Sequence, residues 1–487
     1  MMSYLKDFFS LPSEMFLLCL GLVILILDLL LPEKHKRRLL INLSVWSLLA
    51  GLLLVAMRFD FMQAVLFGGT VVVDNLSIFF KLIILLSTIF VLVMTRYFPV
   101  IKDSVIGEFI ALVIFAALGM LFMSSANDLL VIFLSIEFVS IAFFILVGYL
   151  RKDLKSSEGA LKYFLIGAFS SAVFLYGMTL VIGVTGTGKL FEIKKWLDAG
   201  GGNPLFTLGL LFMLVGFGFK IALVPFHSWA PDAYEGAPTP ITALLSVASK
   251  AAGIAVFLRV LLAVSGGKID LTLLLAIISA VTMTTGNLIA LTQNNIKRLL
   301  AYSGIAHAGF IMIGITAAAS GAGSTPGLGV QSVLIYTLAY MFMNIGIFAL
   351  VIAIFNKTGS DDIRDYAGLS AKNPYLALLL VLFLMSLAGL PPTAGFLGKL
   401  YVFSAALDSN LAWLAVLGII NSVIALYYYF RIAYNVYFAA PKITGPVIAG
   451  TGLKVIIAVS AAMVLLICVY PEPVIILARE SLAMVCP

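Results

Sequence analysis

Charge is scarce in this sequence. Of 487 residues, only 11% are Asp, Glu, Lys or Arg, against roughly 25% in a soluble domain. So few charges cannot cover a soluble globule of this size, which excludes a soluble enzyme and a nucleic-acid binder. Hydrophobic residues fill the gap at 62%, with mean hydropathy +1.14. That excludes a disordered chain and leaves a polytopic membrane protein. Cysteine is nearly missing: Cys19, Cys468 and Cys486 form no C-x-x-C pair, so no iron–sulfur or zinc site can be argued. Histidine is as rare, at His35, His227 and His307, too few to argue for a bis-histidine haem. No cofactor and no metal are expected in this chain.

The net charge of +7 fits loops that face anionic lipid better than it fits DNA. The first apolar run, Met15–Leu31, ends in Pro32-Glu33-Lys34-His35-Lys36-Arg37-Arg38 without a small-residue cleavage site. It reads as a retained span. A span needs about 20 mostly apolar residues. That gives about fourteen: 15–31, 39–57, 76–94, 107–123, 128–150, 160–184, 206–224, 240–263, 272–292, 300–318, 330–355, 374–407, 411–433 and 453–471. The seventh and twelfth are irregular, and the longest polar insert lies near 186–204. The fold class expected is all-α.

With an even span count, both termini share a side. That side carries eight Lys/Arg (Lys6, Arg58, Lys189, Lys194, Lys195, Arg259, Lys268, Arg479). The opposite loops carry eighteen, among them Lys34 to Arg38, Arg151 to Lys162, Lys297 and Arg298. The positive-inside rule puts the richer set in the cytoplasm and both termini outside. Four cations remain inside apolar runs: Lys81, Lys220, Lys250 and Lys399.

An internal echo is present. Leu129–Val139 and Leu300–Phe310 each open a span after an Asn-containing loop. Span seven carries Lys220-x4-Pro225, and span twelve carries Pro391-Pro392-x6-Lys399. Five spans separate the equivalents, so a second copy enters the membrane inverted, with function expected at broken helices near mid-membrane. The chain then divides into three N-terminal helices (1–106), a five-helix repeat (107–263), its inverted partner (272–433) and a C-terminal helix (434–487).

The buried charges carry the chemistry. A lysine at a helix centre costs roughly 2.5–3.5 kcal/mol on insertion scales and is functional by default. Ten apolar residues precede Lys220, and Pro225 follows. Proline frees a carbonyl, so an ammonium beside freed carbonyls is expected there. Lys250 lies about ten residues into its span, roughly 15 Å at 1.5 Å per residue, beyond easy snorkelling. Its small neighbours Ala248, Ser249, Ala251, Ala252 and Gly253 admit helices or water. Glu137 is again mid-span. Beside a lysine it ionises, and such a pair forms a switch or a static ion pair. Lys399 follows a Pro-Pro break rich in glycine. His307 is the only mid-span histidine, either a relay or a satisfied core residue. Lys81 and Asp28 lie near span ends, where snorkelling or helix-end placement is expected. Gly183-x4-Gly188-Lys189 matches a P-loop, but Leu190 follows in place of Ser/Thr and a membrane helix precedes it, so that reading fails.

The run Phe219-Lys220-Ile221-Ala222-Leu223-Val224-Pro225-Phe226-His227-Ser228-Trp229-Ala230-Pro231-Asp232 continues as Ala233-Tyr234-Glu235-Gly236-Ala237-Pro238-Thr239-Pro240. It closely resembles the signature of antiporter-like subunits of proton-pumping NADH:quinone oxidoreductase (respiratory complex I), which resemble Mrp-type Na⁺/H⁺ antiporter subunits. Ser249–Gly253, Lys297–Ser303 and Gly389–Phe396 fit the same pattern. Within the family the chain is most similar to the bacterial N-type. It lacks the L-type's lateral helix, and it has Lys399 where the M-type normally has glutamate. The resemblance implies inverted five-helix units over spans 4–8 and 9–13, with spans 7 and 12 broken. It implies proton-path groups at Glu137, Lys220, Lys250 and Lys399, with His307 a looser match. It also implies a multi-pass protein of the bacterial inner membrane, assembled with other complex I membrane-arm subunits, further antiporter-like ones included. FMN, iron–sulfur clusters and quinone are implied in those partners. The alternatives are an Mrp-type antiporter subunit without redox partners, a related hydrogenase-linked or photosynthetic complex, and a purely structural anchor.

Overall fold

The structure is a computed structural model that describes residues 7–8, 10–59, 64–265, 270–325, 327–442 and 445–482. Lys6, Lys268 and Cys486 lie outside the described residues. Helices dominate because a backbone in hydrocarbon must satisfy its own polar groups. In chain order they are α1 (Pro12–Leu30), α2 (Glu33–Ala56), α3 (Asn75–Arg96), α4 (Ile106–Ser125), α5 (Leu129–Val147) and α6 (Leu154–Thr185). After them come α7 (Leu190–Asp198), α8 (Pro204–Ile221), α9 (Trp229–Gly236), α10 (Thr239–Val264), α11 (Thr272–Ala290) and α12 (Ile296–Ser320). The last are α13 (Leu328–Thr358), α14 (Pro374–Ala388), α15 (Ala394–Asp408), α16 (Ala412–Phe438), α17 (Thr451–Val469) and α18 (Glu472–Glu480).

Local chemistry sets the ends. The side chains of Asp74, Asp128, Asp153, Asn203 and Asn295 accept backbone N–H groups at the starts of α3, α5, α6, α8 and α12, as capping residues do. Among the described residues thirteen helices are long and apolar enough to cross a membrane. The expected twelfth span is instead split into α14 and α15 around Gly389–Thr393, so the expected fourteen are accounted for. The seventh is interrupted between Ile221 and Trp229.

One feature departs from the all-helical expectation. Ala64–Leu66 (β1) and Val71–Val73 (β2) form a small antiparallel hairpin. A β-branched Val run beside Gly68-Gly69 favours that local pairing. The polar insert near 186–204 folds into α7, whose buried residues are Leu190, Ile193 and Leu197.

Most of the surface of α3, α10, α12 and α13 is buried by other helices. The outer helices α1, α2, α5, α6, α16 and α17 expose large apolar side chains such as Leu29, Leu53, Leu134, Phe169, Val423 and Val469, the expected face toward lipid. Every intramembrane amine discussed below sits on or against the inner four.

Candidate functional site

The first broken span places Lys220. Helix α8 ends at Ile221 because Ala222 turns left-handed, at φ 64. The carbonyls released there are taken by protein donors. Trp229 Nε1 donates to Phe219 O at 3.1 Å, and Leu223 N donates to Gly218 O at 2.7 Å. The amine makes no bond to either. Lys220, 1% exposed, donates instead to Ser140 Oγ at 3.3 Å. This corrects the expectation of an ammonium held by freed carbonyls at Pro225. Glu137, one turn before Ser140 on α5, accepts from Ser171 Oγ of α6. No ion pair joins it to Lys220 among the described residues. In place of the expected glutamate–lysine pair stand two serines, Ser171 on Glu137 and Ser140 on Lys220.

Lys250 opens the second half of α10, directly after a π-helical turn at Leu245–Ser249. Such turns are frequent at functional sites. Its Nζ donates to Gly304 O at 2.7 Å. One turn along α10, a Cβ at Gly253 would lie 3.1 Å from Lys220 Cγ. Glycine there lets the first lysine's stem pack against the helix that carries the second.

The remaining groups gather on α12. Gly304, His307 and Phe310 recur every third residue, on one face of the helix. Gly304 receives Lys250. His307 Nδ1 lies 2.7 Å from Tyr336 Oη and Nε2 lies 3.3 Å from Tyr429 Oη. Tyr429 Oη is 2.5 Å from Ser303 Oγ. The Phe310 ring lies 4.6 Å below Lys399 Nζ, a cation–π distance. Helix α14 ends where Gly389 turns left-handed, at φ 88. Lys399 Nζ donates to Ala388 O at 2.8 Å and Leu387 O at 3.3 Å. The arrangement expected at the first break is therefore found at the second. Lys250, His307 and Lys399 form one cluster, and Lys220 adjoins it through Gly253. Glu137, half-buried on the outer helix α5, is the member farthest from that cluster along these contacts.

Other buried charges depart from the sequence expectation. Lys81 does not snorkel. It pairs with Glu14 at 2.6 Å, and both are almost wholly buried. Ser13 Oγ donates to the same carboxylate at 2.7 Å. Arg259 is not a loop residue. It lies in α10 and holds Asp74 with two bonds of 2.8 Å. Lys297, also counted with the loops, is buried and donates to Ala237 O at 3.0 Å. Asp28 is near its helix end as expected and pairs with Lys36 at 3.1 Å. Opposite charges in apolar runs were the available signal, but nothing local says which partners meet.

Beyond the spans, α9 is clamped by charge. Asp232 meets Lys162 at 2.7 Å and Arg298 at 2.5 Å. Glu235 meets Lys155 at 2.7 Å and Arg298 at 3.0 Å. Burial pushes both carboxyls up, but the hydrogen bonds from Lys162 and Arg298 to Asp232, and from Lys155 and Arg298 to Glu235, outweigh it. Both are held below the usual carboxylate range.

Comparison with known proteins adds four findings. Residues 126–425 match the family described as NADH:quinone oxidoreductase/Mrp antiporter, TM. The chain is 40% identical over 472 residues to NADH-quinone oxidoreductase subunit N of Desulforamulus reducens, covering 96% of each chain. Among solved structures, it superposes on a chain of respiratory complex I from Thermus thermophilus, with TM-score 0.80 and 30% identity, covering 95% of this chain and 98% of that one. A chain of the Mrp complex from Dietzia sp. DQ12-45-1b superposes with TM-score 0.84 at 18% identity, covering 96% of each. Shape is thus shared by redox and antiporter complexes alike, and sequence separates them.

Proposed function

The chain belongs to the NADH:quinone oxidoreductase/Mrp antiporter family, on the subunit N side of it, and from that premise we propose that its own part in the reaction is to carry protons through a line of buried side chains. Glu137, Lys220, Lys250, His307 and Lys399 form this line. The observation that carries the reading is the α12 face, where Lys250, His307 and Lys399 converge within two helical turns, with Lys220 packed against the same helix as Lys250. A buried amine with few partners gives up its proton far more readily than one in water.

Each step changes only bonds to hydrogen. Lys220 sits on a hydroxyl that can rotate, so a change of charge near Glu137 can shift it. Lys250 bonds the carbonyl of Gly304 and hands its proton toward α12. Lys399, on carbonyls at the end of α14, receives it. Helix C-termini favour cations, so Lys399 is the natural resting place of the charge. NADH oxidation and quinone reduction belong to partner subunits, with FMN and iron–sulfur clusters there, and no step here passes through them. Those partners include further antiporter-like subunits of the membrane arm.

We further propose placement in the bacterial inner membrane with both termini on the periplasmic side. Taking Arg259 from one loop set and Lys297 from the other leaves the charge imbalance standing. The expected division into two inverted five-helix units is supported by matched backbone bridges. Asp128, which caps α5, bridges to Lys189 beyond α6, and Asn295, which caps α12, bridges to Asp362 beyond α13. Sequence identity, higher toward the redox subunit than toward the Mrp subunit, favours the redox complex over an Mrp-type antiporter. The test is Lys250→Ala in the assembled enzyme. Proton pumping into proteoliposomes falls sharply while the complex still assembles; unchanged pumping rejects the relay.

A further inference from the structure

We propose that Tyr340 is a proton-path residue that links Lys250 to His307 across the gap left by Gly304. The inference rests on the relay reading above and adds a member to it. Tyr340 Oη is buried and no described group meets it in hydrogen-bond geometry, the nearby Asn344 amide donating instead to the Tyr340 backbone carbonyl at 3.0 Å; such a hydroxyl is costly unless something transient meets it. Its position is unusual. A Cβ built on Gly304 would lie 2.8 Å from Lys250 Nζ and 2.9 Å from Tyr340 Oη. The amine and the phenol therefore cannot be farther apart than those two legs laid end to end. That is two hydrogen-bond lengths, a gap one water closes.

The far side of the phenol leads to the histidine. The rings of Tyr340 and His307 are 5.2 Å apart. Both nitrogens of His307 are engaged by other phenols, Nδ1 by Tyr336 and Nε2 by Tyr429. Lys250 thus has no open nitrogen to address directly. Tyr336 and Tyr340 are four apart on α13, so they are neighbours on one helix face. A proton leaving Lys250 enters at Tyr340 Oη, and the phenol's own proton moves on toward Tyr336 and then His307 Nδ1. One proton arrives at each oxygen as another leaves. Each phenol is neutral before and after, and no oxidant is required. Gly398 completes the geometry: a Cβ there would sit 2.5 Å from the Tyr336 ring, so glycine lets that ring seat beside Lys399.

The experiment uses the whole complex in proteoliposomes and reads protons pumped per NADH oxidised. Tyr340→Phe keeps the ring and removes the proton carrier; its pumping falls on the order of tenfold or more, as when a positioned acid–base group is lost. Gly304→Ala fills the gap with a methyl group and does the same. Difluorotyrosine at 340 preserves shape while lowering the hydroxyl's proton affinity, and it moves the pH profile of pumping toward lower pH. A purely packing role would leave that profile in place. If Tyr340→Phe pumps normally, or the difluorotyrosine profile is unmoved, while Lys250→Ala abolishes pumping, Tyr340 is off the path and the relay stands. If Lys250→Ala also pumps normally, the relay itself fails.

Discussion

The two broken spans solve one problem in opposite ways. Each brings an amine to a helix interruption, Lys220 near α8–α9 and Lys399 at α14–α15. At the first break Trp229 and Leu223 donate to the carbonyls of Phe219 and Gly218, and the amine rests on the side chain of Ser140. At the second the amine itself caps the carbonyls of Leu387 and Ala388. The flanking half-helices differ as well. Helix α9 is tied down by Lys155, Lys162 and Arg298, whereas α14 and α15 carry no ion pair among the described residues. Equally far from their capping residues Asp128 and Asn295, the first unit presents Ser140 and the second His307. A hydroxyl can swing and a charged clamp responds to a distant field. Backbone carbonyls do neither. On the proposed relay, the first break is the one that moves and the second the one that holds the charge.

Replacing each lysine with alanine gives the largest contrast. Lys399→Ala strips two buried carbonyls of their donor, and an unsatisfied buried acceptor costs about 1–3 kcal/mol. Lys220→Ala leaves Ser140 still bonded to Ile136 O. Both variants lose pumping, but the melting temperature of the assembled complex falls further for Lys399→Ala. Equal melting would break the comparison. A smaller effect sharpens it. Trp229→Phe removes the indole donor from the Phe219 carbonyl, worth about 1 kcal/mol, leaves Ala222 N on it at 3.1 Å, and opens its second lone pair to Lys220, the kind of partner Lys399 already has. Pumping slows and its dependence on pH comes to resemble that of a carbonyl-held amine. A pH profile like wild type in that variant contradicts the assignment.

The smallest effect concerns the clamp. Asp232 and Glu235 are held below the usual carboxylate range by the cations beside them, against burial, which alone would raise them. A depressed carboxylate contributes fully above its unfolded value, about 4, and the contribution is lost as pH falls through the lower folded value. The melting difference between wild type and Asp232→Asn therefore stays constant from pH 8 to 5 and shrinks only under stronger acid. A difference that vanishes already near pH 6 contradicts the clamp.

Much of this was legible in the residues. The spans, the two interruptions at Pro225 and Pro391-Pro392, and the intramembrane identities of Glu137, Lys220, Lys250, His307 and Lys399 follow from hydropathy and from proline. What could not be read was who meets whom. Freed carbonyls hold an amine at Lys399 and not at Lys220, and sequence cannot show that Trp229 reaches the Phe219 carbonyl. The nearness of Lys81 to a span end points to snorkelling, yet its partner Glu14 lies in a different helix. Arg259 reads as a loop charge because it lies near the end of its span, while Asp74, far back in the chain, draws it inward. Tyr336 and Tyr340 escaped notice because aromatics at helical spacing read as packing. Their one signal was a hydroxyl pair in a span that faces a histidine.

The central claim is a single path in series through both halves. The most direct measurement is the proton-to-electron ratio of the assembled complex in proteoliposomes for Lys250→Met, Lys399→Met and the double variant. Links of one chain fail together, so the double variant loses no more than the worse single. A double variant that loses the two shares added together would mean separate routes, and would contradict the account.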